Sequence, residues 1–230
     1  METDKYYEKI KDIIDSGDYK KNLGQGASRG RAWEHCFRAF KGVIQKGSAS
    51  AQDIDSLSAH LYAFLACWGM QRNSKIMTNL NHTFFNRVCE IMISDEYKLL
   101  RAPSEKEIKN PEYATRVYDL YKDILDVLTE EKEKYEETID AATTPTLISK
   151  IMLGGLGCIP AYDRFFKDAL SILEISPRIW GKHSIEQVCQ QLVLDSPETV
   201  KLLRVNSPKD YPIMKNIDLA LWSIGKANSD

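Results

Sequence analysis

Hydrophobic positions recur at helical spacing along most of the chain. Ile54, Leu57, Leu61, Phe64, Leu65 and Trp68 step by three and four, and Ser50 and Asp53 stand where a helix start needs acceptors. Tyr6, Ile10, Ile13 and Ile14 carry the same stripe, ended by Gly17. So do Trp33, Phe37, Phe40 and Ile44, then Leu80, Phe84, Val88, Ile91 and Met92. Tyr113, Val117, Leu120, Ile124 and Leu128 repeat it after Asn110-Pro111. Leu147, Ile148 and Ile151 predict a short helix after Pro145, and Phe165, Phe166, Leu170 and Leu173 predict its successor. Ile185, Val188 and Leu192 predict a helix capped by Ser184. A last one runs from Tyr211 to Ile224 and ends at Gly225. Strict alternation is nearly absent, so the pattern predicts an all-α fold of roughly eight to ten helices with little or no strand.

The interruptions predict one domain. Residues 22–30 form a loop with three glycines, residues 101–111 a polar connection, and residues 141–146 the end of a long charged helix. The composition shift at 140–146 marks a possible subdomain boundary inside a single 1–230 domain. Ser176-Pro177, Ser196-Pro197 and Ser207-Pro208 place proline where first helical turns accept it. The charge run Glu130 to Glu137 reads as a solvated helix end.

Composition narrows the function classes. A net charge of −2 offers no global attraction to nucleic acid or membrane. The longest apolar run, Leu61 to Trp68, is too short to span a bilayer, and the N-terminus is polar and acidic, so no membrane partner and a cytoplasmic location are expected. Five cysteines without a CxxC read as buried free thiols. His60 and Cys67, like His82 and Cys89, are seven residues apart, about 10.5 Å along a helix, which is too far to share one metal. No metal and no cofactor are predicted. There is no Walker loop and no nucleophile elbow, and Gly24-x-Gly26 lacks a strand–turn–helix context.

Three places carry candidate chemistry. The first is Leu153-Gly154-Gly155-Leu156-Gly157-Cys158-Ile159-Pro160-Ala161, a glycine-rich turn between two short helices. It resembles the helix-hairpin-helix element of many DNA-repair proteins, over about 25 residues. The resemblance implies that amides around Gly155, Gly157 and Cys158 grip a phosphate, with Lys150 and Arg164 adding charge. Cys158 stands where a polar or basic residue is common, and Pro160 removes one amide from the cradle. The second place is residues 19–47, where Lys20, Lys21, Arg29, Arg31, Arg38, Lys41 and Lys46 face a single acid, Glu34. Arg29-Gly30-Arg31 falls in the glycine loop, which can fold over an anion. The third is Arg72-Asn73-Ser74, where a strong helix breaks at Gly69.

Leu61 to Arg72, Gly157 to Phe166 and Tyr211 to Trp222 together resemble a group of uncharacterised bacterial helical proteins of similar length. That resemblance implies a helical fold and supplies no activity. The leading expectation is sequence-independent nucleic-acid binding through the hairpin and the basic loop. Two alternatives stand beside it. One is a protein-interaction module or homodimer with exposed aromatic surface. The other is an enzyme acting on an anionic small molecule, with Arg29, Arg31 and Arg72 around a cleft.

Overall fold

A computed structural model describes residues 4–21, 23, 29–72, 75–134 and 144–228; the side chains of Arg29 and Arg72 lie outside that description. The described residues are helical throughout and contain no strand. The chain opens with α1 (Tyr7–Asp15) and the single turn α2 (Asp18–Lys21). The long α3 (Arg29–Lys46) follows, so Arg29, Gly30 and Arg31 are the first turn of a helix and not a loop.

The helix α4 (Ala51–Cys67) starts as its sequence dictates. Ser50 accepts the Asp53 amide while Asp53 accepts the Ser50 amide, a reciprocal capping box. It ends on Trp68, and Gly69 takes φ +80°, the left-handed residue that closes a helix C-terminus. The next stretch is more broken than its stripe suggests. After α5 (Lys75–Asn79), Asn81 caps a 3-10 turn over His82–Phe85, and only then does α6 (Asn86–Ile93) begin. Another 3-10 turn (Asp95–Leu100) and the short α7 (Glu105–Ile108) precede α8 (Tyr113–Glu133). These fragments raise the number of helices above the expected eight to ten. Of the possible boundary at 140–146, residues 140–143 lie outside the described residues, and Pro145 already opens α9.

The second half holds α9 (Pro145–Gly155), α10 (Arg164–Ile172), α11 (Lys182–Cys189), α12 (Pro197–Val205) and α13 (Ile213–Ala227). Pro197 occupies a first helical turn, as expected, and so does Pro145, whereas Pro177 follows a cis peptide bond and Pro208 precedes a turn, both outside any helix. Ser184 sits inside α11, and its hydroxyl donates to the Pro177 carbonyl rather than capping the helix.

The centre is built on α9 and α13. Residues 147–162 are buried without interruption, and so are residues 211–221. A helix apolar on every side must be enclosed on every side. Accordingly α13 packs on α1, α2, α10 and α12, while α9 packs on α3, α4 and α8. Gly225 does not end α13. It lies within the helix where α10 crosses, and a Cβ there would press on the Phe165 backbone. Four of the five cysteines are buried; Cys67, at the end of α4, is exposed.

Candidate functional site

The glycine hairpin is the floor of the core rather than a surface. Gly155, Gly157 and Cys158 are all buried. A Cβ on Gly154 would meet the Phe64 ring at 2.6 Å, and one on Gly155 would meet Met92 and Phe40. Gly157 takes φ +63° with Pro212 2.6 Å from its would-be Cβ. These glycines let α4, α3 and the start of α13 approach α9.

The amides of the hairpin serve the protein. Gly157 N–H donates to the Met152 and Leu153 carbonyls. Ala161 N–H donates to Asp218 Oδ1 at 2.9 Å, and Tyr162 N–H to Ser149 Oγ at 2.9 Å. Its carbonyls are used as well: Trp33 Nε1 donates to Leu153 O, and the Tyr113 hydroxyl to Cys158 O. Burial raises the Cys158 thiol pKa, which keeps it a neutral packing group. All three residues are buried and the Gly157 amide is bonded within the protein, so the hairpin is not presented to a phosphate at the surface, which corrects the expectation for Gly155, Gly157 and Cys158. Arg164 is exposed at the start of α10, with its guanidinium over the Phe165 ring.

Much of the basic run is spent on ion pairs. Arg31 lies 2.8 Å from the buried carboxylate of Glu34, and Arg38 reaches Glu34 and Asp210. Lys46 pairs with Asp53, and Lys21 with Asp18. Glu34 also accepts the Tyr211 hydroxyl at 2.6 Å, so its position is over-determined. The candidate residues Arg29 and Arg72 cannot be placed by side chain; Asn73 and Ser74 lie outside the described residues.

One basic residue of the hairpin set, Lys150, does converge with other charges. It projects from α9 into a cluster completed by Lys215 and Asp218 of α13 and by Asp163, the N-cap of α10. Lys215 is fully buried and lies 2.9 Å from Asp218 Oδ2. Its ammonium sits 4.4 Å from the Trp68 ring centre and 5.2 Å from that of Trp33. Lys150 donates to the Trp68 carbonyl at 3.2 Å, and its ammonium lies 5.9 Å from the same ring. Asp163 accepts the Phe166 amide at 3.1 Å and feels the charges of Lys150 and Asp218.

Burial pushes two of these groups, Lys215 and Asp163, toward neutrality. Burial lowers the Lys215 pKa against the pull of Asp218. Burial raises the Asp163 pKa against the pull of Lys150. Two lysines and two aspartates are thus held together beside the Trp33 and Trp68 indoles. Buried ion pairs of this kind do little for stability, because desolvation consumes the Coulomb gain. Opposed pKa shifts in one enclosed cluster make it the candidate site of this fold.

The chain was compared with protein-family models, curated proteins and solved structures. It matches none of them.

The sequence analysis singled out Lys150 but not Lys215, Asp218, Asp163, Trp33 or Trp68. A signal was present. Ile213 to Leu221 is apolar on all sides except for Lys215, Asn216 and Asp218, and charged residues in a fully enclosed helix demand partners. Among the described residues, no three His, Cys, Asp or Glu side chains converge as metal ligands, and no helix is long and apolar enough to cross a membrane. Ile179 and Val205 are the large exposed hydrophobics among the described residues.

Proposed function

We propose that this protein is an enzyme acting on an anionic small molecule, and that the cluster around Lys150 and Lys215 is its site. The observation that supports this most directly is the convergence of four coupled ionisable side chains beneath Trp68. Lys150, close to the surface and only 7% exposed, receives the anionic group. Lys215 supplies a second positive charge, sharpened by the low dielectric of its indole walls. Asp163, held above the usual carboxylate range, exchanges a proton with the bound molecule. Asp218 positions Lys215 and ties the 157–163 segment to α13 through the Ala161 amide.

Thermal stability in the presence of inorganic phosphate, nucleoside monophosphates and small dicarboxylates tests the reading. A ligand at 100 times its Kd adds about 2.7 kcal/mol. For a chain of this size that raises Tm by roughly 5–10 °C. The rise is expected to vanish in Lys150→Met and to persist in an Arg164→Ala control. No stabilisation by any anion, or one indifferent to Lys150, rejects the proposal. Salt-sensitive binding of labelled DNA or RNA without small-anion binding would restore the nucleic-acid reading on other surfaces.

A further inference from the structure

Resting on that reading of the cluster, we infer that Trp68 is the gate to Lys215 and that Lys150 is its latch. Three observations carry this. Trp68 is the half-buried wall of a site whose other indole, Trp33, is completely enclosed. Its ring centre lies 4.4 Å from the Lys215 ammonium, which is fully buried. Its carbonyl, at the very end of α4, is held by the Lys150 ammonium, and the next residue is Gly69 at φ +80°.

The arrangement couples entry to ligand charge. The Trp68 amide still donates to the Phe64 carbonyl, whereas its own carbonyl lies past the last helical turn and takes the Lys150 ammonium. An anion that draws Lys150 toward itself removes that donor. The Trp68 backbone is then released about Gly69, and its ring leaves the face of Lys215. The same lysine thereby senses the ligand and opens the inner charge to it. Phe64, 4.9 Å from the Trp68 ring, is the surface to which the ring returns.

The test reads access to Lys215 directly and uses no ligand, so it stands apart from the ligand-binding test of the proposed function. The folded protein is methylated with formaldehyde and a mild reductant, and each lysine is quantified by peptide mass spectrometry, with exposed Lys41 as internal reference. In the wild type, Lys215 is expected to be protected relative to Lys41. Lys150→Met and Trp68→Leu are expected to raise Lys215 labelling by about tenfold or more, as loss of a charged hydrogen bond implies. Trp68→Phe, which keeps a ring on the same stem, is expected to stay close to wild type. Circular dichroism and Tm confirm that each variant is folded. Lys215 that is labelled as fast as Lys41 in the wild type overturns the gate. So does Lys215 that stays protected in folded Trp68→Leu. Protection that persists in folded Lys150→Met overturns the latch.

Discussion

The closest helix crossing in the fold yields a sharp prediction. In α13, Gly225 faces the backbone of α10, and a Cβ at this position would lie 2.7 Å from the Phe165 carbonyl carbon and 3.0 Å from its Cα, with the carbonyl oxygen nearer still. Unstrained carbon atoms rest at about 3.5–4.0 Å. Gly225→Ala therefore forces α10 and α13 apart by roughly 1 Å. Backbone cannot rotate aside as a side chain can, and this helix pair is the most extensive in the molecule. Overpacking of this kind costs about 1–3 kcal/mol, and the lost packing around Phe165 and Trp222 places this site at the upper end. Alanine returns about 1 kcal/mol of helix propensity, leaving roughly 2 kcal/mol of destabilisation. A chain of this length then loses about 4–8 °C in Tm. Gly42→Ala is the matched control: Gly42 lies mid-helix in α3, is exposed, and would have nothing within 4 Å of its new Cβ. That variant is expected to gain about 0.5–1 kcal/mol. Differential scanning calorimetry on both decides the matter. A Gly225→Ala protein as stable as the wild type refutes the close-crossing argument.

Other outcomes follow from the same structure. Lys215→Met strands Asp218 as an uncompensated buried charge and is expected to cost about 3–5 kcal/mol in urea unfolding; adding Asp218→Asn, which still accepts the Ala161 amide, recovers part of that loss. Native protein is expected to react with a thiol reagent at Cys67 alone and at all five cysteines once denatured, because burial pushes the Cys89 and Cys189 thiols up to about 12. Hydrogen bonds from Lys46 and Ser50 hold Asp53 below the usual carboxylate range, and those from Ser104 do the same for Glu107. Their folded pKa values lie below the unfolded ones, so their stabilisation is complete above roughly pH 5 and is lost progressively as the pH falls below about 4 toward the folded values. A Tm series from pH 6 to pH 3 should therefore decline less steeply in Asp53→Asn than in the wild type.

The fold was legible where one helix face was decided by local pattern. In α4 and α8 an apolar stripe met a recognisable start, and the helices formed where the residues placed them. Legibility failed where a capping side chain or a distant part of the chain decided the outcome. Leu80 to Met92 keeps helical spacing, yet Asn81 binds the Thr83 amide and forces a 3-10 turn before α6 can begin. Gly225 has the form of a helix terminator, but it was needed as a gap for α10. The hairpin glycines look the same whether the close neighbour is a phosphate or the Phe64, Met92 and Pro212 side chains that occupy the space. Lys215 and Asp218 carried the one local clue to the site, an i, i+3 pair of opposite charge in an enclosed helix. Its partners Trp33, Trp68 and Lys150 lie some 65 to 180 residues away, a distance no local pattern spans.

The enclosed position of α13 also sets the order in which the molecule can be made. This helix is formed by residues 213–227, yet it completes the packing of α1 and α2 at the opposite end of the chain. During synthesis those helices emerge long before the segment that covers them. Their apolar faces, with Ile10, Ile14 and Tyr19, must wait uncovered until α13 arrives. Closure across such sequence separations is slow even for helices, since the loop entropy is lost before any contact repays it.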